Sequence, residues 1–217
     1  MDLEKARFNM VESQIRPWGV LDQTVLDLLY RVKREEYVPP VFRSLAFSDL
    51  EIPIGHGQTM LAPKLEARML QELRLSPTDK VLEVGTGSGY FTALLASLAR
   101  HVVSVEIIPA LSAEAQRKLA AHEFTNITLE VGDAARGWDK HAPYDVIVLT
   151  GATPVLPEPL VASLRPGGRL LAVVGEPPVM EARRVVMVEP GVFETEDLFE
   201  TCIAPLVNAV KPARFVF

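Results

Sequence analysis

From residue 76 onward the chain alternates short apolar runs with stretches of helical periodicity. Val81 to Val84, His101 to Glu106, Ile127 to Val131 and Tyr144 to Thr150 read as strands, and Leu164 to Val174 as a turn feeding one more. Between the first two, Tyr90 to Ala99 reads as a helix. Strands that are apolar on both faces, separated by helices, predict a parallel sheet covered on both sides, with ligands at the carboxyl ends of its strands. The first 75 residues follow another rhythm. Leu21, Val25, Leu28, Leu29 and Val32 share one helical face, with Asp22 placed to favour the helix N-terminus and an end expected near Lys33 or Arg34. Pro39-Pro40 then enforces an irregular stretch, and Leu65 to Leu73 forms a second amphipathic helix behind Pro63. The segment between them, Ile52 to Pro63, is expected to be a loop too rich in Gly, Pro and polar groups to join the core.

The strand at Val81 runs into Glu83-Val84-Gly85-Thr86-Gly87-Ser88-Gly89 and then into the helix. Glycines permit positive φ and let a ligand approach the backbone, and the helix N-terminus presents unpaired N–H groups. A nucleotide-like ligand is therefore expected at Gly85, Gly87 and Gly89. A dinucleotide loop places two residues between its second and third glycines, whereas here only Ser88 intervenes. Glu83 would repel a pyrophosphate but suits amino and sulfonium cations. The stretch resembles the first motif of class I S-adenosylmethionine-dependent methyltransferases.

About 20 residues past the glycines, the next strand ends in Glu106, where nucleotide folds bind ribose hydroxyls. The third strand runs into Gly132-Asp133, whose acid or adjacent backbone is placed to meet an adenine amino group. Trp138 lies near that pocket and either packs the sheet edge or contacts the cofactor.

Composition narrows the alternatives. The 217 residues, 48% of them hydrophobic, can bury a substantial core, and the length favours one elaborated domain. A net charge of −6 argues against a nonspecific nucleic-acid binder. The single cysteine, Cys202, reads as a small packed residue rather than a nucleophile, and His101, His122 and His141 lack metal-ligand spacing, so no metal is expected. No secretory core or membrane-length apolar run occurs, and a cytoplasmic protein is expected. Trp18 is either an N-terminal anchor or part of a subunit contact, leaving monomer and homodimer both open.

A narrower resemblance rests on ordered segments. Ile54-Gly-His-Gly-Gln-Thr59 with Ala62-Pro63, Arg34-Glu-Glu-Tyr-Val-Pro39, the glycine motif, Gly132-Asp133 with Gly137-Trp138, Ala142-Pro-Tyr-Asp145 and Leu156-Pro157 together resemble the protein-L-isoaspartate O-methyltransferase family. The resemblance implies an α/β, Rossmann-like class I methyltransferase fold, with a mostly parallel seven-stranded sheet between helices and an N-terminal helical extension. One domain over 1–217 is expected, with 1–75 as the extension carrying the active-site loop and 76–217 as the cofactor-binding core. S-adenosyl-L-methionine is the implied cofactor, bound through Glu83, Gly85, Thr86, Gly87, Ser88, Gly89, Glu106, Gly132 and Asp133. Isoaspartyl-containing proteins or peptides are the implied substrates. Ile203 to Leu206 resembles the late strand beside the acceptor cleft. One position departs from the family: its active-site serine is Leu61 here, leaving Gln58 and Thr59 as the nearest polar candidates. His56 is assigned a loop-structuring or cofactor-proximal role. Two alternatives follow from Leu61: a paralogue with another carboxylate or hydroxyl acceptor, or a noncatalytic cofactor-binding module.

Overall fold

The computed structural model describes residues 2–211. Its central sheet contains β3 (Lys80–Val84), β4 (His101–Glu106), β5 (Ile127–Val131), β6 (Tyr144–Leu149), β7 (Leu164–Glu176), β8 (Val179–Glu189) and β9 (Val192–Glu200). They lie in the order β5-β4-β3-β6-β7-β8-β9, with β3 to β7 mutually parallel and β8 and β9 added antiparallel. The mostly parallel seven-stranded sheet expected from the sequence is thus present.

The strands' apolar side chains divide between two cores with period two. Val81, Val102, Val146, Val148, Leu171 and Val173 join one core, whereas Leu82, Val103, Val105, Ile147, Leu149 and Leu170 join the other. The first core packs against the N-terminal elements α1 (Leu3–Met10), α2 (Gln23–Arg31), β1 (Ile52–Gly55), β2 (Gln58–Met60) and α3 (Pro63–Leu73), together with α4 (Tyr90–Ala96) and α5 (Pro109–Ala121). The second is closed by Ala134, Trp138 and Leu160 of α6 (Glu158–Ala162). Burial on both faces is why β6 is apolar at nearly every position. Its one acid, Asp145, accepts the Lys80 N–H at 2.7 Å and pairs with Arg165.

Four local expectations change. Asp22 is the N-cap of α2, accepting from the Thr24 and Val25 N–H groups, so Leu21 lies outside the helix and is 72% exposed while Leu26 completes the buried face. The helix after the glycines ends at Ala96 rather than Ala99. Residues 52–60 form an antiparallel hairpin rather than a loop outside the core, because Ile52, Ile54 and Met60 alternate inward and Leu61 follows them into the same cluster. Ile203 to Leu206 forms no strand; it is held to Ala152 by an isolated bridge. Trp18 meets Phe199 edge-on with ring centroids 5.3 Å apart, an anchor within the chain.

Candidate active site

The hairpin and the carboxyl ends of the parallel strands face each other across a cleft. Gln58, Thr59 and Leu61 line one side; Gly85, Gly87, Glu106, Gly132 and Asp133 line the other, and Thr150 and Leu206 close it. The hairpin turns through His56 and Gly57, both at positive φ (54° and 73°), the conformation a tight two-residue hairpin demands. His56 therefore structures the loop, and its side chain is exposed.

The glycine loop begins where β3 ends. Gly85 has φ +100°, and a Cβ there would run into the Thr150 hydroxyl, which donates to the Val84 and Gly85 carbonyls at 3.0 and 2.7 Å. This glycine is required by a close approach within the protein as well as by its dihedral. Gly87 has φ +53° and faces the cleft, with Ile54 beside it. Gly89 caps α4 and faces Ala115 of α5, so its absent side chain serves helix packing.

Glu106 is 5% exposed and links the loop to the strand end: Oε2 accepts the Gly87 N–H at 2.8 Å, and Oε1 accepts the Ile108 N–H at 3.0 Å. Each carboxylate oxygen retains a second lone pair, so the fixed side chain can still accept from two hydroxyls. Asp133 accepts from the Ala135 N–H at 3.0 Å through Oδ1 and from Asn208 Nδ2 at 2.9 Å through Oδ2. Gly132 lies against the Trp138 ring, leaving no room for a Cβ, while the indole N–H donates to Glu130 Oε2 at 2.7 Å. Trp138 thus packs behind the site's floor. His141 and Lys140 also donate to Glu130, holding its carboxyl down near 2 against the opposing effect of burial.

Besides Gly89, which faces α5, three predicted residues lie outside the cleft lining. Glu83 does not line the cleft; fully buried, its Oε2 accepts hydroxyls from Thr92 at 2.5 Å and Ser104 at 2.6 Å. Burial pushes its carboxyl up to about 8, partly opposed by those two bonds. Glu83 is in register with Ser104, two residues short of Glu106 on the same face of the sheet, and so stays within the sheet rather than at the strand ends that line the cleft. Thr86 is buried with its hydroxyl on Ser104 at 2.5 Å, and Ser88 accepts the Tyr90 N–H at 3.2 Å; both line a smaller recess beside the loop instead. The Thr59 hydroxyl, for its part, is engaged by Glu51 Oε2 at 2.9 Å.

The sequence pattern did not single out Thr150, Arg34 or Glu66 as site residues. Arg34 is 1% exposed and stacks on Tyr90 at 5.2 Å. Its Nε donates to the Ala46 carbonyl at 2.9 Å, Nη2 to the Leu61 carbonyl at 2.7 Å, and Nη1 to Glu66. One side chain therefore fixes the end of the hairpin. The available signal was Glu66 itself, an acid among Leu65, Ala67, Met69 and Leu70 on a helix that buries all of them. Among the described residues no group of three or more His, Cys, Asp or Glu side chains is placed to hold a metal ion, and no helix is long and apolar enough to cross a membrane.

The residues present fit an adenosyl sulfonium ligand: a loop whose positive-φ glycines bring bare backbone to the cleft, a fixed carboxylate for vicinal hydroxyls and a second acid beyond it. Comparison with known proteins agrees. The family model for protein-L-isoaspartate(D-aspartate) O-methyltransferase matches residues 6–211. A protein-L-isoaspartate O-methyltransferase from Methanoculleus marisnigri is 42% identical over 94% of this chain and 92% of its own. Its counterpart from Anaeromyxobacter dehalogenans is 44% identical over 88% and 92%. Among solved structures, a Plasmodium falciparum protein described as a protein-L-isoaspartate O-methyltransferase, in complex with S-adenosyl-L-homocysteine, shares the fold at TM-score 0.77. It is 20% identical and covers 92% of this chain and 97% of its own.

Proposed function

The chain belongs to the protein-L-isoaspartate(D-aspartate) O-methyltransferase family, and from that premise we propose that it methylates the free carboxylate of isoaspartyl residues in proteins or peptides. The observation that carries this is the cleft between hairpin and glycine loop, with Glu106 fixed at its cofactor end. When bound, S-adenosylmethionine supplies a methyl group on a sulfonium, ready for displacement. Glu106 holds the ribose hydroxyls through its free lone pairs, Asp133 with the Gly132 backbone borders the base, and Gly85 and Gly87 admit the chain close to the loop.

The acceptor side needs no general base. A carboxylate is already anionic at neutral pH, so the protein's task is to align its oxygen with the methyl carbon and the sulfur and to exclude water. Gln58, Thr59 and Leu61 form the wall against which that alignment occurs. Leu61, 8% exposed, makes the wall apolar where a hydroxyl would orient the acceptor. That feature favours a second reading, a member of the family with a different acceptor. A cytoplasmic setting and a single domain over 1–217, divided near residue 75, belong to the same proposal.

The experiment is methyl transfer from labelled S-adenosylmethionine to an isoaspartyl peptide, with the aspartyl peptide as control and a known family enzyme validating the assay. Selective labelling is expected. Binding of cofactor without labelling would overturn isoaspartyl specificity and leave the second reading.

A further inference from the structure

Beside the glycine loop, and sharing Thr59, Leu61, Gly85, Gly87 and Thr150 with the main cleft, lies a second, smaller recess. Its polar lining is largely committed. The Thr59 hydroxyl is held by Glu51, that of Thr86 is paired with Ser104, and that of Thr150 donates to backbone carbonyls. Glu66, 2% exposed, is the one ionisable residue in this lining. Arg34 occupies its Oε2, and the other oxygen has no hydrogen-bond partner among the described residues.

The recess continues the cleft away from Glu106 and Asp133. A ligand whose adenosyl part is anchored at those two acids and whose chain passes Gly85 and Gly87 therefore ends here. We propose that Glu66 binds the α-ammonium of the cofactor's amino-acid end, the role the sequence had suggested for Glu83. The proposal rests on the cofactor assignment above.

The chemistry suits the site. Burial raises the Glu66 carboxyl to about 7 despite Arg34, so one cation does not fully compensate this carboxylate, and an ammonium on the unused oxygen would. Glu83, by contrast, lines neither the cleft nor the recess: it is fully buried, with Oε2 taken by two hydroxyls and Oε1 enclosed without a partner among the described residues. The Arg34–Glu66 pair also couples the cofactor's end to the acceptor hairpin, because the same guanidinium holds the Leu61 carbonyl.

The test is calorimetric binding of S-adenosylhomocysteine and of 5′-methylthioadenosine, which keeps the adenosyl thioether but lacks the amino-acid end, to the full chain and to Glu66→Gln. The variant is expected to weaken S-adenosylhomocysteine by roughly 10- to 100-fold, the worth of a charge-assisted hydrogen bond, and to leave methylthioadenosine unchanged. Equal losses for both ligands, or no loss for either, would overturn the assignment. If Glu66→Gln does not fold, the wild-type chain carries the test with S-adenosylhomocysteine and its deaminated analogue. Equal affinity for these two refutes an ammonium site, whereas a loss of the same size supports it. A wild-type chain that binds neither S-adenosylhomocysteine nor methylthioadenosine refutes the cofactor reading itself.

Discussion

The cofactor side and the acceptor side of the cleft are built by different means. On the cofactor side, Gly85, Gly87, Glu106 and Asp133 stand at the carboxyl ends of β3, β4 and β5, and parallel pairing brings those ends together. Backbone conformation does much of the work: Glu106 and Asp133 each accept the N–H two residues on, while Glu106 also takes the Gly87 N–H across neighbouring strand ends and Asp133 the Asn208 amide. On the acceptor side, side chains meet over long separations: Arg34 with Glu66 and the Leu61 carbonyl fixes the end of the hairpin, and Arg7 with Glu35 ties together the N-terminal extension that carries it. A site made from topology keeps its form while its surroundings vary. A site made from buried ion pairs depends on each pair, because a charge that loses its partner in the interior is costly.

The sharpest way to break this contrast is Arg7→Met. Arg7 is 1% exposed, pairs with Glu35 and lies over the Phe47 ring at 5.6 Å. Removing it leaves the Glu35 carboxylate buried and unpaired, an expected loss of about 3–5 kcal/mol in denaturant unfolding. Arg7→Met with Glu35→Leu should recover most of that loss, since an apolar pair of similar volume avoids the desolvation cost. In the folded fraction, affinity for S-adenosylhomocysteine should stay within about twofold of wild type, well under 1 kcal/mol. A parallel loss of affinity would show that the two sides are not independently built.

The same contrast explains what could be read from the chain. The parallel sheet was legible because strands buried on both faces are apolar along their whole length, and the glycine loop because its spacing allows few ligands. Glu106 was legible because it ends a strand. Glu83 was misplaced because it lies two residues short of Glu106 in register, on the same face but within the sheet, and a motif does not report that depth. The hairpin was read as loop because Gly55, His56 and Gly57 hide a turn whose flanking Ile52, Ile54 and Met60 are buried. The Arg34–Glu66 pair spans 32 residues, and no local pattern connects its members.

Glu83 offers a smaller effect that sharpens the cofactor half of the comparison. Its carboxyl lies near 4.5 when unfolded and about 8 when folded, so the native state holds the proton more tightly. The stabilisation is complete below the unfolded value and is lost as pH rises toward and through the folded one. Between pH 7 and 9 this group should cost on the order of 1 kcal/mol of stability. Urea unfolding of Glu83→Gln should fall less steeply over that range than wild type, with S-adenosylhomocysteine affinity at pH 7 unchanged. Identical slopes would show that Glu83 does not titrate there, and lost affinity would return it to the ligand.

The smallest expected change is at Leu61, where the acceptor side departs from its family. A serine there would place a hydroxyl on the wall shared by the cleft and the recess beside it, without disturbing the Leu61 carbonyl that Arg34 holds, because that bond is to the backbone. One oriented hydrogen bond is worth about 1 kcal/mol net, or about a fivefold rise in kcat/KM toward an isoaspartyl peptide. Affinity for 5′-methylthioadenosine, which does not reach the recess, should be unchanged, and the lost apolar burial should show as a lower Tm. A rise confined to kcat/KM would mean that the acceptor pocket is otherwise intact and that Leu61 trades rate for packing. No rise, with cofactor still bound, would mean that the hairpin is shaped for another acceptor, and that the acceptor side has diverged while the strand ends opposite it have kept their ligand.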